Sequence, residues 1–293
     1  MNRKIYLAII IIIPFFLMAC MNKNDKSSKI EQKEKAPKTL TEVSDGIDEL
    51  LDSLDSIMEI VDLTESEFQT QQSNKGEKME DESNNKSGNN SEEGKNQREG
   101  QENKGNHQSK KEKGTMTKDE ALFLKWMEVD KKLEEIHESW NNYEVESIKK
   151  GVNTEKANEF KKNLNAFSIA VENRTMEDIV NIGSKTINFL AVYFDLYKDE
   201  IRGDLSRIKY SVYQSFIEGQ RGNKDLAKEL LTNAEDHISR IRQKIEKEED
   251  KIKDLDKLSL SITDMRLALE DNNEKLLKIK RDIALNNIKS LEE

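Results

Sequence analysis

The chain has 293 residues, of which 36% are charged, and a formal net charge of −10. A nucleic-acid binder would normally show a basic domain, so this balance argues against one. With two prolines and a preponderance of Lys, Glu, Leu, Ile and Asn, the composition points to an all-α protein.

The first residues read as a targeting signal. Arg3 and Lys4 precede an apolar run from Ile5 to Met18, broken only by Pro14. This run is shorter than the ~20 apolar residues a span requires, and its flanks are those of a signal peptide. It ends in Leu17-Met18-Ala19-Cys20, which resembles the bacterial lipobox, the site of signal-peptide cleavage and of lipid attachment to cysteine. The thiolate is the nucleophile such a modification needs. Residues 1–19 are therefore expected to be a lipoprotein signal peptide and Cys20 the lipidated residue, tying the protein to a membrane. The alternative is an ordinary signal peptide or an unprocessed membrane anchor, with Cys20 incidental. Cys20 is the only cysteine, so no intramolecular disulfide can form and folding rests on packing.

Residues 20–39 are polar and read as a membrane-proximal spacer. Residues 40–68 carry an amphipathic helix, with Val43, Ile47, Leu50, Leu54, Ile57 and Val61 spaced by four and three. Thr41 and Ser44 are candidate caps. Such a helix is marginal alone, so the 43–61 stripe is expected to cover itself in one of two ways: self-association with another chain, or packing on the C-terminal domain. Residues 69–114 contain Met79 as their only apolar side chain among Asn, Gly, Ser, Gln, Lys and Glu. The expectation is a disordered low-complexity tether, with a mean reach of about 35–40 Å.

Residues 115–293 are the predicted folded part, an elongated bundle of about four to five helices. Thr117-Lys118-Asp119-Glu120 looks like a capping box. Behind it Leu122, Trp126, Val129, Leu133, Ile136, Trp140 and Tyr143 follow at four-three spacing, and Gly151 ends the run. A second helix opens at Asn153 or Thr154 and carries Ala157, Phe160, Leu164, Phe167 and Val171. A third starts at Thr175. It is apolar on nearly every side between Ile179 and Tyr197, as a central helix would be, and continues to Phe216 with a kink or break at Gly203. Residues 219–223 read as a turn. The long helix beyond has a seam of Leu231, Ala234, Ile238, Ile241, Ile245, Ile252 and Leu255, interrupted by Glu248. The register slips near Leu258, and Ser261 is a candidate cap for a last helix bearing Met265, Leu269, Leu276, Ile279 and Ile283. A hairpin there is favoured over one helix, which would approach about 100 Å.

No motif points to catalysis. The three histidines, His107, His137 and His237, have no histidine or cysteine partner at metal-ligand spacing, so neither a metal nor another cofactor is expected. Residues 219–224 are glycine-rich but lack both the hydroxyl residue and the preceding strand of a phosphate loop. The acids Glu248-Glu249-Asp250, beside Lys247 and Lys251, read as a solvated helix face. Seven of the fifteen Phe and Tyr residues lie between Phe189 and Phe216. Among them Tyr210 and Tyr213 stand partly off the Leu205, Ile208, Val212 seam. They are candidate ligand anchors, against the plainer alternative of tyrosines flanking a core.

With lipobox, polar tether and cysteine-free helical domain combined, the chain resembles the outer-surface lipoproteins of Borrelia spirochaetes. Met116–Trp126 also looks like the helix start of that genus's plasmid-encoded multicopy lipoproteins. The resemblance implies display at the outer membrane surface, antigenicity and, in several such families, binding of host complement or extracellular-matrix proteins. Two functions stand as expectations: a non-catalytic binding module, or a structural coiled-coil lipoprotein of the envelope.

Overall fold

The structure is a computed structural model that describes residues 35–73, 116–152, 154–197 and 201–292. The signal peptide, Leu17-Met18-Ala19-Cys20 and the low-complexity stretch from residue 74 lie outside the described residues. What is described is all-α, without a strand among those residues. The helices are α1 (Lys38–Asp62), α2 (65–73), α3 (Lys118–Lys149), α4 (Thr154–Glu172), α5 (Met176–Phe194), α6 (Arg202–Gln220), α7 (Lys224–Lys244), α8 (Glu249–Ala268) and α9 (Glu274–Glu292). The described residues of 115–293 thus form seven helices rather than four or five. None in the described residues is long and apolar enough to cross a membrane.

Two apolar cores run side by side. The first is built from α1, α3, α4 and α5. Its centre is aromatic: the Trp140 ring lies 3.9 Å from Phe160 and 5.2 Å from Tyr193, edge-on to the latter. Such contacts add to the area these side chains bury. The second core, from α6 to α9, is almost wholly aliphatic, with Leu231, Ile241, Leu258, Ile262, Ala284 and Ile288 fully buried. The α5 and α6 helices pack together and join the two.

The 43–61 stripe finds its partner within the chain. Val43, Ile47, Leu50, Leu54 and Ile57 are buried in the first core, where α1 packs on α3 and α5, and only Val61 stays exposed. Residues 40–68 and 115–293 therefore share a core, and the stripe is not free for self-association in this fold. The α1 helix begins after Pro37, whose carbonyl accepts from the Leu40 and Thr41 amides. Thr41 instead donates to the Lys38 carbonyl inside the first turn, and Ser44 is buried, so neither is the cap.

The capping box at α3 is present in both directions: Glu120 N donates to Thr117 Oγ1 at 3.2 Å and Thr117 N to a Glu120 carboxylate oxygen at 2.9 Å. Thr64 and Glu67 make a second one at the start of α2. The amide and hydroxyl of Thr64 hold the Glu67 carboxyl below its usual range. Residues 69–73 are consequently helix, not tether, and Gln69 donates to the Met116 carbonyl at 2.9 Å.

Other boundaries shift. Gly151, at φ +89°, ends α3 in the left-handed conformation that suits glycine. Gly203 does not break a helix, because α5 already ends at Phe194 and α6 starts at Arg202. It lies in the first turn of α6, where a Cβ would meet the Ala191 carbonyl oxygen at 3.0 Å, so its absent side chain permits close helix packing. The α8 helix passes unbroken through Leu258 and Ser261. The breaks fall instead at 245–248 and at 269–273, where Asn272 adopts φ +49° and Asn273 Oδ1 accepts from Leu276 N. The last helix consequently turns a different face inward: Leu277, Arg281, Ala284, Ile288 and Leu291 are buried, while Ile279 and Ile283 are exposed.

Candidate functional surfaces

Tyr213 is not an exposed anchor. It is 5% exposed and belongs to the first core, facing the acidic side of α1, where burial drives its hydroxyl pKa well up. Tyr210 is half-buried. The misreading has a physical source. The α6 helix lies between the two cores and is buried on nearly all sides, so residues off its main seam still face protein.

That position also explains a charged seam. On α1, Asp45, Asp48, Asp52 and Asp55 follow at three-four-three spacing, on the face opposite the apolar stripe. Facing them are bases from α6 and α9. Asp48 takes Lys209 at 2.5 Å, and Lys209 also reaches Glu292 at 2.7 Å. Asp55 takes Arg281 at 2.6 Å and Lys278 at 3.3 Å, while Asp45 takes Arg202 at 3.0 Å. Lys209 is 3% exposed, yet its carboxylate partners keep it charged by outweighing desolvation. Burial pushes the Asp48 carboxyl up to about 7; Lys209 pulls it down and Glu292 pushes it further up. A cleft of about 210 Å³ opens beside these groups, lined by Asp45, Asp48, Asp52, Lys209, Tyr213 and Lys289 among others. Paired charges at this depth are explained by docking α1 onto α6 and α9.

The histidines have structural partners. His237 Nδ1 lies 2.9 Å from Asp204, which also accepts from Lys244 at 2.8 Å. Burial alone would raise the Asp204 carboxyl, but these two partners hold it down to about 2. His137 Nε2 lies 2.7 Å from Ser168 Oγ. Ser168 spends its own proton on the Leu164 carbonyl at 2.9 Å, so the imidazole donates to the hydroxyl. That polarity is the reverse of the one that activates a serine nucleophile. No cluster of three or more His, Cys, Asp or Glu among the described residues is arranged to hold a metal ion.

The remaining feature is apolar and exposed. Where α1 ends and α3 begins, Met58, Val61, Met116, Phe123, Leu124 and Met127 all stand in solvent, Phe123 at 64% exposure. Two of them, Met116 and Leu124, line a groove together with Ile60, Leu63, Phe68 and Ala121, with a volume of about 510 Å³. Large side chains grouped this way are unusual on a monomer and mark interaction sites. Periodicity alone does not reveal the corner, because Met58, Phe123, Leu124 and Met127 come from off-seam positions of two helices distant in sequence. Comparison of the chain with known protein families, with curated proteins and with solved structures finds no match.

Proposed function

We propose that the chain is a bacterial lipoprotein, anchored by lipid on Cys20 at the outer membrane surface, whose helical domain is a non-catalytic binding module. The observation that carries the binding role is the exposed corner formed by Met58, Val61, Met116, Phe123, Leu124 and Met127. It sits at the C-terminal end of α1, about 37 Å at 1.5 Å per residue from the end that leads back to Cys20. The resemblance to Borrelia surface lipoproteins suggests a host complement or extracellular-matrix component as the ligand.

The burial of Val43, Ile47, Leu50, Leu54 and Ile57 weighs against the structural alternative, since self-association would have to use another surface. Two measurements test the proposal. Cys20→Ala should abolish palmitate incorporation and move the protein from the detergent to the aqueous phase; unchanged partition with no label in the parent protein would refute the anchor. The purified chain should capture a protein from serum or matrix extract, and Phe123→Ser with Leu124→Ser should abolish that capture. Capture unaffected by the double variant would remove the corner from the binding role.

A further inference from the structure

Resting on that reading, we infer that the corner where α1 meets α3 receives a basic amphipathic helix of a partner polypeptide. The groove has an apolar floor of Ile60, Leu63, Phe68 and Ala121 between helical walls, and rows of apolar side chains at i, i+3, i+4 and i+7 fit such a floor. Of the exposed apolar side chains, Met116 and Leu124 line it. A methionine side chain is flexible and polarisable and adapts to varied apolar ridges, as on other surfaces that take helices of differing sequence.

The rim selects the sign of the partner. Residues 56–73 and 116–130 carry eight carboxylates against two lysines. Both lysines are engaged: Lys118 donates to the Val61 and Leu63 carbonyls, and Lys125 to Glu128 at 2.9 Å. The nearby Arg174 is held by Asp130 in a two-pronged pair at 2.7 and 2.6 Å and lies over the Trp126 ring. Glu59, Asp62 and Asp119 are therefore left to set the potential around the apolar floor. An anionic lipid surface is repelled by this rim, whereas a helix with lysines or arginines flanking an apolar stripe meets it on both counts.

The test uses the purified full chain and a fluorescent Leu/Lys peptide of about 18 residues, long enough for five turns, with its leucines on one face. A scrambled peptide of the same composition is the control. Anisotropy titration should show binding of the amphipathic peptide, at least about tenfold weaker binding of the scramble, and affinity falling as salt rises. Phe123→Ser with Leu124→Ser should weaken binding at least about tenfold with the melting temperature unchanged. Glu59→Gln with Asp62→Asn should weaken it and flatten the salt dependence. Equal binding of both peptides, or no effect of the serine variant, would overturn the inference. So would sedimentation showing a dimer that the serine variant dissolves, since a second copy would then occupy the corner. Tighter peptide binding after deletion of 109–113 would overturn it too, in favour of the chain's own lysine-rich segment. Peptide binding without capture of any serum or matrix protein would leave this inference standing and refute the host ligand. Capture that the serine variant leaves intact would do the reverse.

Discussion

Two parts of α1 reverse the ordinary placement of side chains, and they do so in opposite senses. Along its middle, the face turned away from the first core carries Asp45, Asp48, Asp52 and Asp55, which dock on Arg202, Lys209 and Arg281. At its C-terminal end, Met58 and Val61 stand in solvent beside Phe123, Leu124 and Met127 of α3. The buried charges have partners inside the chain, so the fold accounts for them. The exposed apolar groups have none among the described residues, and the proposed external partner would supply one. The distinction separates a structural device from a candidate binding surface where charge or apolarity alone would not.

The largest effect is expected in the seam. Lys209→Ala leaves Asp48 and Glu292 facing each other without their shared cation, and removing one partner of a buried pair typically costs about 3–5 kcal/mol. Denaturant melts should show a loss of that size. If the seam serves docking only, replacing the triad together by Lys209→Met, Asp48→Asn and Glu292→Gln should recover most of it. Trp140→Ala should cost a similar ~3–5 kcal/mol by opening a cavity in the aromatic core.

The pairing of α1 with α3 and α5 gives an outcome in proteolysis. Trypsin is expected to cut at the lysines of 74–115, yet the piece bearing 35–73 should stay bound to the piece from Thr117 onward. The two should co-elute in native gel filtration and part in denaturant. Dissociation under native conditions would show that the first core does not depend on α1.

Two carboxyls set opposite limbs of a pH profile. The folded value of Asp48 lies above its ordinary 3.8, so the stability linked to it is present below that value and lost as pH rises toward about 7. Asp204 is depressed to about 2, so its contribution is present above 3.8 and lost as pH falls toward 2. Thermal melts should therefore peak between the two windows. Asp48→Asn should flatten the upper limb and Asp204→Asn the lower. A smaller loss, about 1 kcal/mol, is expected for Thr117→Ala, which removes one half of the α3 capping box. Smallest of all is Phe123→Ser with Leu124→Ser, which touches no core and should shift stability by less than about 0.5 kcal/mol.

How much of this was legible follows the strength of each local signal. The α3 cap, the α1 stripe and the Ala157, Phe160, Leu164, Phe167, Val171 face of α4 lie where periodicity places them, because each helix has one neighbouring core to face. Tyr213 was misread because α6 has protein on both sides, so its apolar period carries little information about exposure. The α8–α9 turn was displaced from Leu258 because a run of Ile and Leu continues through it. Asp271-Asn272-Asn273 was the better signal, since Asn tolerates positive φ. Thr64-Glu65-Ser66-Glu67 likewise holds a capping box that sets the start of α2. The acidic stripe of α1 has a regular spacing that sequence shows, but only the fold reveals that bases from residues 202–292 meet it.

Hydrogen–deuterium exchange of the full chain, with and without the amphipathic Leu/Lys peptide, tests the contrast between seam and corner most directly. Added protection confined to residues 56–68 and 116–128, with the amides of 202–213 and 285–292 unchanged, is the expected result. Protection centred on the Lys209 seam, or spread evenly over the helices, would contradict it.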